Sequence, residues 1–379
     1  MSKINVRNLS NENEDGAPDI VGVTTFSATS YFVPTRGTTA QRPSNHVEEG
    51  SLRYNYDTKN LEYYRGNTLG WSQFELIDPD LGGGTGSNTG LGHRAVFAGG
   101  GVFPAFVNTI SFLTISTLGN PQDFGDLNYK AQNMTSGHVS STSRGIFAGG
   151  YGPGRVNTIE FVTIASTGNG TNFGDLTVNR EHAGGGSNGT RGLYAGGFTN
   201  PNNNNVIDYI SISSTGDAVD FGDLSFAKNC LAVCNRTRMV INGHSETTSE
   251  FITMSSTGNA TDFGTVTSLN GKSANGDSST RGIFAGGINT NIMEFITTAT
   301  LGNATDFGDL TQARNGSGGT SSPTRMVIIG GGTGPSYPFT VVNTIDFVTI
   351  ATTGNATDFG DTDPVLISSA AISNGHGGL

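Results

Sequence analysis

One unit of sequence occurs six times between residues 92 and 361 of the 379-residue chain. Each copy opens with an arginine followed by an apolar pair and small residues, as in Arg-Ala-Val-Phe-Ala-Gly-Gly from Arg94. The arginines are 50, 47, 47, 43 and 44 residues apart, at Arg94, Arg144, Arg191, Arg238, Arg281 and Arg325. A period of this length indicates an array in which each unit buries its apolar face against its neighbours. The repeat therefore excludes most folds before any local structure is considered.

The rest of each unit is typical of antiparallel β structure. A second element is rich in Ile, Val, Phe and Thr. A third element contains a Phe-Gly pair, at Phe124, Phe173, Phe221, Phe263, Phe307 and Phe359. The stretch before each arginine, such as residues 310–319, supplies a fourth strand. Between the second and third elements, a Gly-Asn or Gly-Asp pair predicts a tight hairpin turn. Because no sustained helical period is present, the sequence predicts an all-β chain.

Four strands in a unit of about 40–50 residues are typical of a propeller blade. The Phe-Ala-Gly-Gly sequence from Phe147 to Gly150 and its equivalents resemble the Gly-Gly element of the Kelch-type β-propeller family. This resemblance implies a Kelch-like propeller. The unit departs from the family at one position, because the phenylalanine of Asp-Phe-Gly stands where the family has a tryptophan.

The C-terminal segment is expected to close the ring. Residues 361–379 carry Val365, Leu366, Ile367 and Ile372, whereas residues 82–90 have no apolar side chain in the corresponding place before Arg94. We therefore predict that the chain's end completes the first blade. The predicted organisation is an N-terminal region over 1–79, a glycine-rich linker over 80–91 and a six-bladed propeller over 92–379.

The N-terminal region has a different composition, with 6 of the 57 glycines and 17 of the 51 charged residues in positions 1–79. Residues 52–56, 61–64 and 71–76 alternate with turn-forming residues and predict a three-stranded meander. A sheet this small buries too little surface to be stable alone, so we expect it to self-associate or to dock onto a partner. The residues expected to mediate this attachment are Tyr54, Tyr56, Leu61, Tyr63 and Trp71.

The same stretch resembles a module of bacteriophage tail-fibre and virion appendage proteins. The matching residues are Gly37-Thr38-Thr39-Ala40-Gln41-Arg42-Pro43, Gly50, Leu52-Arg53-Tyr54-Asn55, Asp57, Leu61-Glu62-Tyr63-Tyr64, Gly66 and Trp71. The repeated Asn-Ala-Thr-Asp-Phe-Gly is similar to repeats in structural proteins of phages of marine bacteria. The resemblance implies a homotrimeric fibre, attached to other virion proteins through its N-terminal region and assembled in the host cytoplasm.

Charge and hydropathy exclude several classes of partner. The net charge is −11 and the pI about 4.9, so no broad basic face is available for nucleic acid. No apolar run approaches the roughly 18 residues of a membrane span, so we expect no membrane insertion.

Cys230 and Cys234 are predicted to be small core residues. The six histidines show no metal-ligand spacing, so neither a metal nor a cofactor is predicted.

No catalytic residues are predicted. Sialidases clamp a carboxylate with three arginines from a subset of blades, but these arginines occupy one slot in every unit, which indicates a structural bond to backbone carbonyls. Asp-Phe-Gly, repeated in the same way, is interpreted as a structural turn element. Carboxylates such as Asp306 and Asp309 lack the spacing of a calcium loop and suit turn capping. A glycan-degrading enzyme would need two converging acids, and the candidates are Glu246, Asp208 and Glu160.

The loop after each Gly-Gly element differs in length and chemistry from unit to unit, and should lie at the end where one blade connects to the next. Its candidate ligand-binding residues are Phe103, Phe106, Tyr151, Arg155, Phe198, Asn202, Asn203, His244, Glu246, Tyr337 and Phe339. Exposed aromatic and amide groups on a rigid scaffold suit binding to a glycan or a protein surface. The alternative explanation of the variable loops is unconstrained sequence drift.

The predicted function is a tail-fibre adhesin that binds the host surface. The alternatives are a glycan-degrading tailspike-type enzyme and a ligand-free head or tail decoration protein.

Overall fold

The computed structural model describes residues 34–44, 47–58, 60–73, 93–102, 105–244, 246–266, 273–336 and 338–379. The chain divides into two compact units, Met1–Asp78 and Pro79–Leu379. The all-β prediction is confirmed for the described residues, whose regular structure consists of strands apart from two single-turn helices. The predicted linker over 80–91 lies outside them. No helix in the described ranges is long and apolar enough to cross a membrane.

The N-terminal unit is one four-stranded sheet in the order β1-β2-β3-β4. Its elements are β1 (Thr35–Gly37), a 3₁₀ helix (Thr39–Gln41), β2 (Leu52–Asn55), β3 (Leu61–Tyr64), α1 (Gly66–Leu69) and β4 (Trp71–Gln73). The predicted antiparallel meander is present as β2, β3 and β4. The fourth strand, β1, was not predicted; it pairs in parallel with β2.

The second unit contains six sheets, numbered 1 to 6 by the order of their arginine-bearing strands, and two short loop ribbons. Its strands are β5 (Arg94–Ala98), β6 (Gly101–Val102), β7 (Ala105–Phe106), β8 (Thr109–Thr114), β9 (Gln122–Asp126), β10 (Ser136–Gly137), β11 (Arg144–Ala148), β12 (Thr158–Thr163), β13 (Thr171–Asp175), β14 (Gly184–Ser187), β15 (Arg191–Ala195), β16 (Val206–Ser211), β17 (Val219–Asp223), β18 (Cys230–Cys234), β19 (Arg238–Gly243), β20 (Thr248–Thr253), β21 (Thr261–Thr265), β22 (Ala274–Asp277), β23 (Arg281–Ala285), β24 (Ile292–Thr297), β25 (Thr305–Asp309), β26 (Gly318–Ser321), β27 (Arg325–Ile329), β28 (Gly332–Thr333), β29 (Thr340–Val341), β30 (Thr344–Thr349), β31 (Thr357–Asp361) and β32 (Ala370–Ser373).

The sheets share one antiparallel order, in which the arginine strand is second. From sheet 1 to sheet 6 they are β32-β5-β8-β9, β11-β12-β13, β14-β15-β16-β17, β18-β19-β20-β21, β22-β23-β24-β25 and β26-β27-β30-β31. The predicted strand before the arginine is therefore present in five of the six sheets. Sheet 2 is irregular, because β10, which stands in the place of its first strand, pairs in parallel with β14. The segment around β10 reaches β11 through a bridge between Ser140 and Gly145 and through hydrogen bonds such as that from the Ile146 N–H to the Val139 carbonyl at 2.9 Å.

The first strands of the sheets contact one another in cyclic order: β32, β10, β14, β18, β22, β26 and again β32. The prediction that the C-terminal segment completes the first sheet is confirmed, since β32 pairs with β5 from Ala370 opposite Ala98 to Ser373 opposite Ala95. The first and last parts of the second unit thus share one sheet.

The repeated arginines link each sheet to the next. Every one donates from Nη1 to a backbone carbonyl just beyond a third strand, at 2.8–3.3 Å, in the pairs Arg94–Ile164, Arg144–Ile212, Arg191–Met254, Arg238–Ala299, Arg281–Ile350 and Arg325–Ile115. The last pair joins sheet 6 to sheet 1. Each guanidinium also lies 4.5–4.8 Å from an aromatic ring of its own third strand. The predicted structural bond is confirmed.

The second and third elements of each unit are the third and fourth strands of its sheet. The tight hairpin predicted between them is wrong. The connection is longer, residues 115–121 in sheet 1 for example, because its glycine pairs with the previous sheet. The glycine N–H donates to a fourth-strand phenylalanine carbonyl at 2.7–3.1 Å, in the pairs Gly168–Phe124, Gly216–Phe173, Gly258–Phe221, Gly302–Phe263, Gly354–Phe307 and Gly119–Phe359. This segment serves as a clamp between sheets.

Asp-Phe-Gly lies inside the fourth strand, which corrects its interpretation as a turn. The phenylalanine is buried and packs edge-on against an aromatic ring of the third strand, with centroids 5.9–6.1 Å apart in all six sheets. The glycine permits the next clamp to approach: at Gly308, with φ of 139°, an added Cβ would lie 2.4 Å from the Gly354 carbonyl oxygen. Cys230 and Cys234 are confirmed as free, buried core residues.

Candidate functional site

A cavity of about 290 Å³ lies where the first strands of the sheets begin. The segments that connect successive sheets form most of its wall, and four of the loops that follow second strands complete it. Its lining includes Gln132, Asn133, Met134, His182, His244, Ile288, Asn315, Phe339, Ile367 and Ser369. The cavity therefore combines amide, hydroxyl and imidazole groups with apolar side chains, and none of the described residues that line it is Asp, Glu, Lys or Arg.

Four buried polar atoms of the cavity wall have no hydrogen-bond partner among the described residues. They are His244 Nε2, Ser273 Oγ, Asn315 Oδ1 and Ser369 Oγ. A buried polar atom without a partner costs roughly 1–3 kcal/mol, and such atoms are uncommon in native proteins. Because these atoms surround one cavity, its wall offers several hydrogen-bonding groups to any molecule that enters it.

The backbone of the cavity wall is held in a sparsely populated conformation. Asn133, His182 and Ser368 line the cavity and have positive φ angles of 53°, 57° and 61°. Backbone hydrogen bonds join them in sequence, because the His182 N–H donates to the Asn133 carbonyl at 2.8 Å and the Asn133 N–H donates to the Ser368 carbonyl at 3.0 Å. Strained residues of this kind cluster at ligand sites, where the surrounding structure enforces the strain.

The two histidines of the cavity are neutral at pH 7. Their ring centroids are 5.4 Å apart. Burial lowers the pKa of His182 to about 4, with a further contribution from the charge of Arg155. Burial, and secondly the proximity of His182, lowers the pKa of His244 to about 3. Since the protonated form is disfavoured in both side chains, these two histidines stay uncharged down to about pH 5.

The predicted loop residues divide into three groups. His244 and Phe339 line the cavity. A second group forms a stack across the loops of sheets 1 to 3: the rings of Phe106 and Tyr151 are 5.7 Å apart, and the Arg155 guanidinium lies 5.2 Å from Tyr151 and 4.4 Å from Phe198. The remaining described residues, Asn202, Asn203 and Glu246, are exposed. Phe103 and Tyr337 lie outside the described residues.

The expected position of these loops is confirmed. In three sheets, a loop after the second strand hydrogen-bonds to a connecting segment at 2.9–3.1 Å, in the pairs Gln132–Tyr151, Glu181–Phe198 and Asn315–Gly332. Variable loops and sheet connections therefore meet at one end of the second unit, around the cavity.

Two of the acids considered for a glycan-degrading enzyme are not on this surface. Asp208 and Glu160 are 0% and 1% exposed and occupy equivalent places in the third strands of neighbouring sheets. Asp208 pairs with Arg180, and Glu160 accepts from the Asn128 N–H at 3.0 Å. Both carboxylates hold a third strand to the segment that follows the previous sheet, which leaves Glu246 as the only one of the three candidate acids that is exposed.

The opposite ends of the first strands meet in a closed ring of polar side chains, which we name the axial ring. Its members are Ser373, Ser140, Ser187, Cys234, Asp277 and Ser321, one from each sheet. Each side chain is hydrogen-bonded to the backbone of a neighbouring member, through the contacts Ser187–Ser140, Ser140–Ser373, Ser373–Ser321, Ser321–Asp277, Asp277–Cys234 and Cys234–Ser187. Only Asp277 and Cys234 replace the serine found in the other four sheets.

Two histidines lie against Asp277. His138 Nδ1 is 3.1 Å and His376 Nδ1 is 3.9 Å from Asp277 Oδ1, and all three side chains are buried. His376 belongs to the C-terminal segment, whose Gly377 N–H donates to Asp277 Oδ1 at 2.7 Å. The Cys234 Sγ is 3.7 Å from His376 Nδ1. The chain's end therefore closes the axial ring from one side.

In the N-terminal unit, the sheet buries charged side chains on one face and exposes apolar side chains on the other. Arg42 and Arg53 pair with the buried Glu62 at 2.6 and 2.8 Å on the covered face. The opposite face carries Leu52, Tyr54, Leu61 and Tyr63, with Tyr56 directly after β2; Leu52 is 51% and Leu61 43% exposed. We call this set the outer face. Trp71 lies on the covered face, where its Nε1 donates to the Pro43 carbonyl at 3.3 Å.

Sequence reasoning missed most of the cavity wall, because it examined only the loops after the second strands. The connecting segments do carry a signal: each has a polar residue at a similar place before its first strand, as at Asn133, His182, Asn315 and Ser368. The His138–Asp277–His376 cluster has no such signal, since its members are about a hundred residues apart. Comparison with known proteins found no matching family model and no matching curated protein.

Proposed function

We propose that the chain is a phage virion appendage protein, a tail fibre or related adhesin. In this proposal the six sheets are the blades of a Kelch-like β-propeller, which binds a host-surface glycan in the cavity at its variable end. The N-terminal unit oligomerises and attaches the protein to other virion proteins. Multivalent presentation of weak sites on one particle then provides avidity.

Three cyclic patterns support the propeller. The arginine bonds, the glycine clamps and the axial ring each run from sheet to sheet and return from sheet 6 to sheet 1. The pairing of β32 with β5 brings the two ends of the repeat into one sheet, as expected of a ring that removes free sheet edges.

The observation that carries the glycan proposal is the set of unpartnered polar atoms around the cavity, whose described lining residues are uncharged. Its volume of about 290 Å³ is at the lower limit of ligand pockets, which suits one sugar residue. Hydroxyl groups can both donate to and accept from Asn315, Ser273 and Ser369, while Phe339 and Ile288 offer apolar surface. A charged ligand would find no counter-charge among the described lining residues, so we expect a neutral hexose or N-acetylhexosamine unit.

Saturation-transfer NMR of the full chain with neutral hexoses and N-acetylhexosamines tests this proposal. We expect transfer to at least one of these sugars, and an affinity about tenfold weaker in Asn315→Ala, because a hydrogen bond to the ligand is lost. The matched control is Asn202→Ala, at an exposed asparagine that does not line the cavity. Binding should not change between pH 8 and pH 5, since His182 and His244 stay neutral over that range.

Longer glycans separate the alternatives. Retention of a host surface polysaccharide without cleavage supports the adhesin, whereas release of new reducing ends would identify a glycan-degrading enzyme. If neither the monosaccharides nor the polysaccharide bind, the glycan site is wrong and a ligand-free decoration protein becomes the better interpretation.

The outer face of the N-terminal unit supports the oligomerisation part of the proposal, with a second and third copy of the chain as its occupants. Light scattering of the full chain should give three times the 39.3 kDa chain mass. Leu52→Asp combined with Leu61→Asp should reduce the mass to that of one chain, because charge is placed in an apolar interface. Leu69→Asp, at a residue that is 60% exposed outside that face, is the control. A monomeric wild-type chain would contradict homotrimer formation.

A further inference from the structure

We propose that His138, Asp277 and His376 bind one divalent metal ion of the zinc class beside the axial ring. The site is independent of the proposed function, because it lies at the opposite ends of the first strands from the cavity. Its ligands would come from sheet 2, sheet 5 and the C-terminal segment.

The spacing of the ligand atoms fits such an ion. Asp277 Oδ1 is 3.1 Å from His138 Nδ1 and 3.9 Å from His376 Nδ1, and all three ligand atoms lie within 4.8 Å of one another. Tetrahedral zinc with bonds of about 2.0–2.2 Å separates its nitrogen and oxygen ligands by roughly 3.3 Å. Small movements of the side chains would therefore place all three atoms around one ion.

Cys234 lies beside the cluster but outside the set of atoms that are within 4.8 Å of one another, so it would have to move to become a fourth ligand. Its Sγ is 3.7 Å from His376 Nδ1, and a tetrahedral zinc ion would separate a nitrogen and a sulfur ligand by roughly 3.6 Å. Two imidazoles, a carboxylate and a thiolate are the donor types that zinc prefers.

The charge of Asp277 gives an independent reason for a cation. In the third strands of three sheets the buried carboxylate has a cationic partner, in the pairs Arg180–Asp208, Lys228–Glu250 and Arg314–Asp346, whereas the buried Glu160 accepts from the Asn128 N–H. Asp277 is 0% exposed, and within the described part of the chain no lysine or arginine pairs with it. A buried carboxylate without compensation is costly. A metal ion at the two imidazoles would supply the missing positive charge.

The surroundings also orient the ligands. His376 Nε2 lies 3.2 Å from Ser187 Oγ, so the ring can donate there. Nδ1 accepts from the Gly378 N–H at 3.1 Å, and a bound ion would replace that hydrogen bond. Asp277 Oδ2 accepts from the Cys234 N–H at 2.7 Å, which leaves Oδ1 directed toward the histidines. Outer contacts of this kind fix the ring orientation and tautomer of metal-binding histidines. A bound ion would thereby tie the C-terminal segment to two sheets that are distant in sequence.

The competing explanation is a proton on His138, which would form an ion pair with Asp277 and leave no role for a metal. Because the ligands are buried, the ion has to be loaded during folding. The full chain is therefore refolded with and without Zn²⁺, desalted and analysed for zinc by elemental mass spectrometry. We expect about one zinc per chain and a higher midpoint of thermal unfolding in the zinc-loaded protein.

Variants make the assignment specific. His376→Gln should weaken zinc affinity by more than about 100-fold, because loss of a ligand exceeds the 10–100-fold effect typical of outer contacts. His182→Gln, at a cavity histidine away from the cluster, should retain the metal. Since His376→Gln could also perturb the chain's end, the wild-type protein is refolded with Co²⁺ as a second readout. Tetrahedral Co²⁺ should give visible absorption bands.

Cys234→Ser distinguishes three ligands from four. Serine occupies four of the six places in the axial ring, so the variant should fold, keep the visible cobalt bands and lose only the near-ultraviolet thiolate band. Refolded wild-type protein that contains less than about a tenth of an equivalent of zinc, shows no cobalt bands and unfolds at the same temperature with and without zinc would overturn the proposal. The His138–Asp277 ion pair would then account for the cluster.

Discussion

Deletion of residues 370–379 is expected to abolish the cooperative unfolding of the second unit. The deletion removes β32, which is the first strand of sheet 1 and pairs with β5 along its length. It also removes Ile372, which is 1% exposed and packs with Val96 and Phe147 in a core shared by sheets 1 and 2. Truncating one buried isoleucine costs roughly 2–5 kcal/mol, a large part of a total stability of roughly 5–15 kcal/mol.

The remaining losses are cumulative. Without Ser373, the axial ring opens between Ser140 and Ser321, and β5 becomes a free sheet edge. Circular dichroism and differential scanning calorimetry of the truncated chain should show a broad transition, or none, in place of a single sharp one.

A shorter deletion serves as the control. Removal of residues 374–379 keeps β32 and the axial ring but removes His376 and the backbone N–H of Gly377 that bonds to Asp277. This variant should unfold cooperatively at a lower temperature than the full chain. If the longer deletion unfolds as sharply and at the same temperature as the full chain, β32 does not close the ring of sheets.

The repeat predicted the strands and the closure because both depend on local pattern. Comparison of the six units separates the positions that they share from the loops that differ. Ile372 and its neighbours could therefore be matched to the strand before every arginine, and Arg94 and its equivalents could be assigned one structural role. The apolar alternation of segments such as residues 109–114 then fixes which side of a strand is buried.

Features that depend on contacts between different repeat units of the chain could not be predicted in this way. The glycine before Asn303 looks like a hairpin residue, yet it pairs with the previous sheet, a contact that no single unit contains. The same holds for Asp277 and His376, which are brought together only when the chain's end reaches the axial ring. The cavity wall joins residues from several connecting segments, and each segment alone resembles an ordinary polar loop.

Asp208→Ala is expected to destabilise the second unit by about 3–5 kcal/mol. Asp208 was a candidate catalytic acid on sequence grounds, but its carboxylate is buried against Arg180 and also accepts from Thr177 Oγ1 at 2.7 Å. Burial lowers the pKa of Arg180, and the Asp208 charge is the largest influence in the opposite direction. Removal of the carboxylate leaves a buried guanidinium without its counter-charge, and the cost of that is typically in this range.

Urea unfolding of three variants separates the ion pair from the loss of packing. Asp220→Ala is the matched control, because Asp220 lies directly opposite Asp208 on β17 but is exposed, and its loss should change stability by less than about 0.5 kcal/mol. In Arg180→Met combined with Asp208→Leu, neither charge is buried, so much of the stability lost in Asp208→Ala should return. Equal effects of Asp208→Ala and Asp220→Ala would mean that the pair is solvated, and the third strand of sheet 3 would then need another attachment to the segment that follows sheet 2.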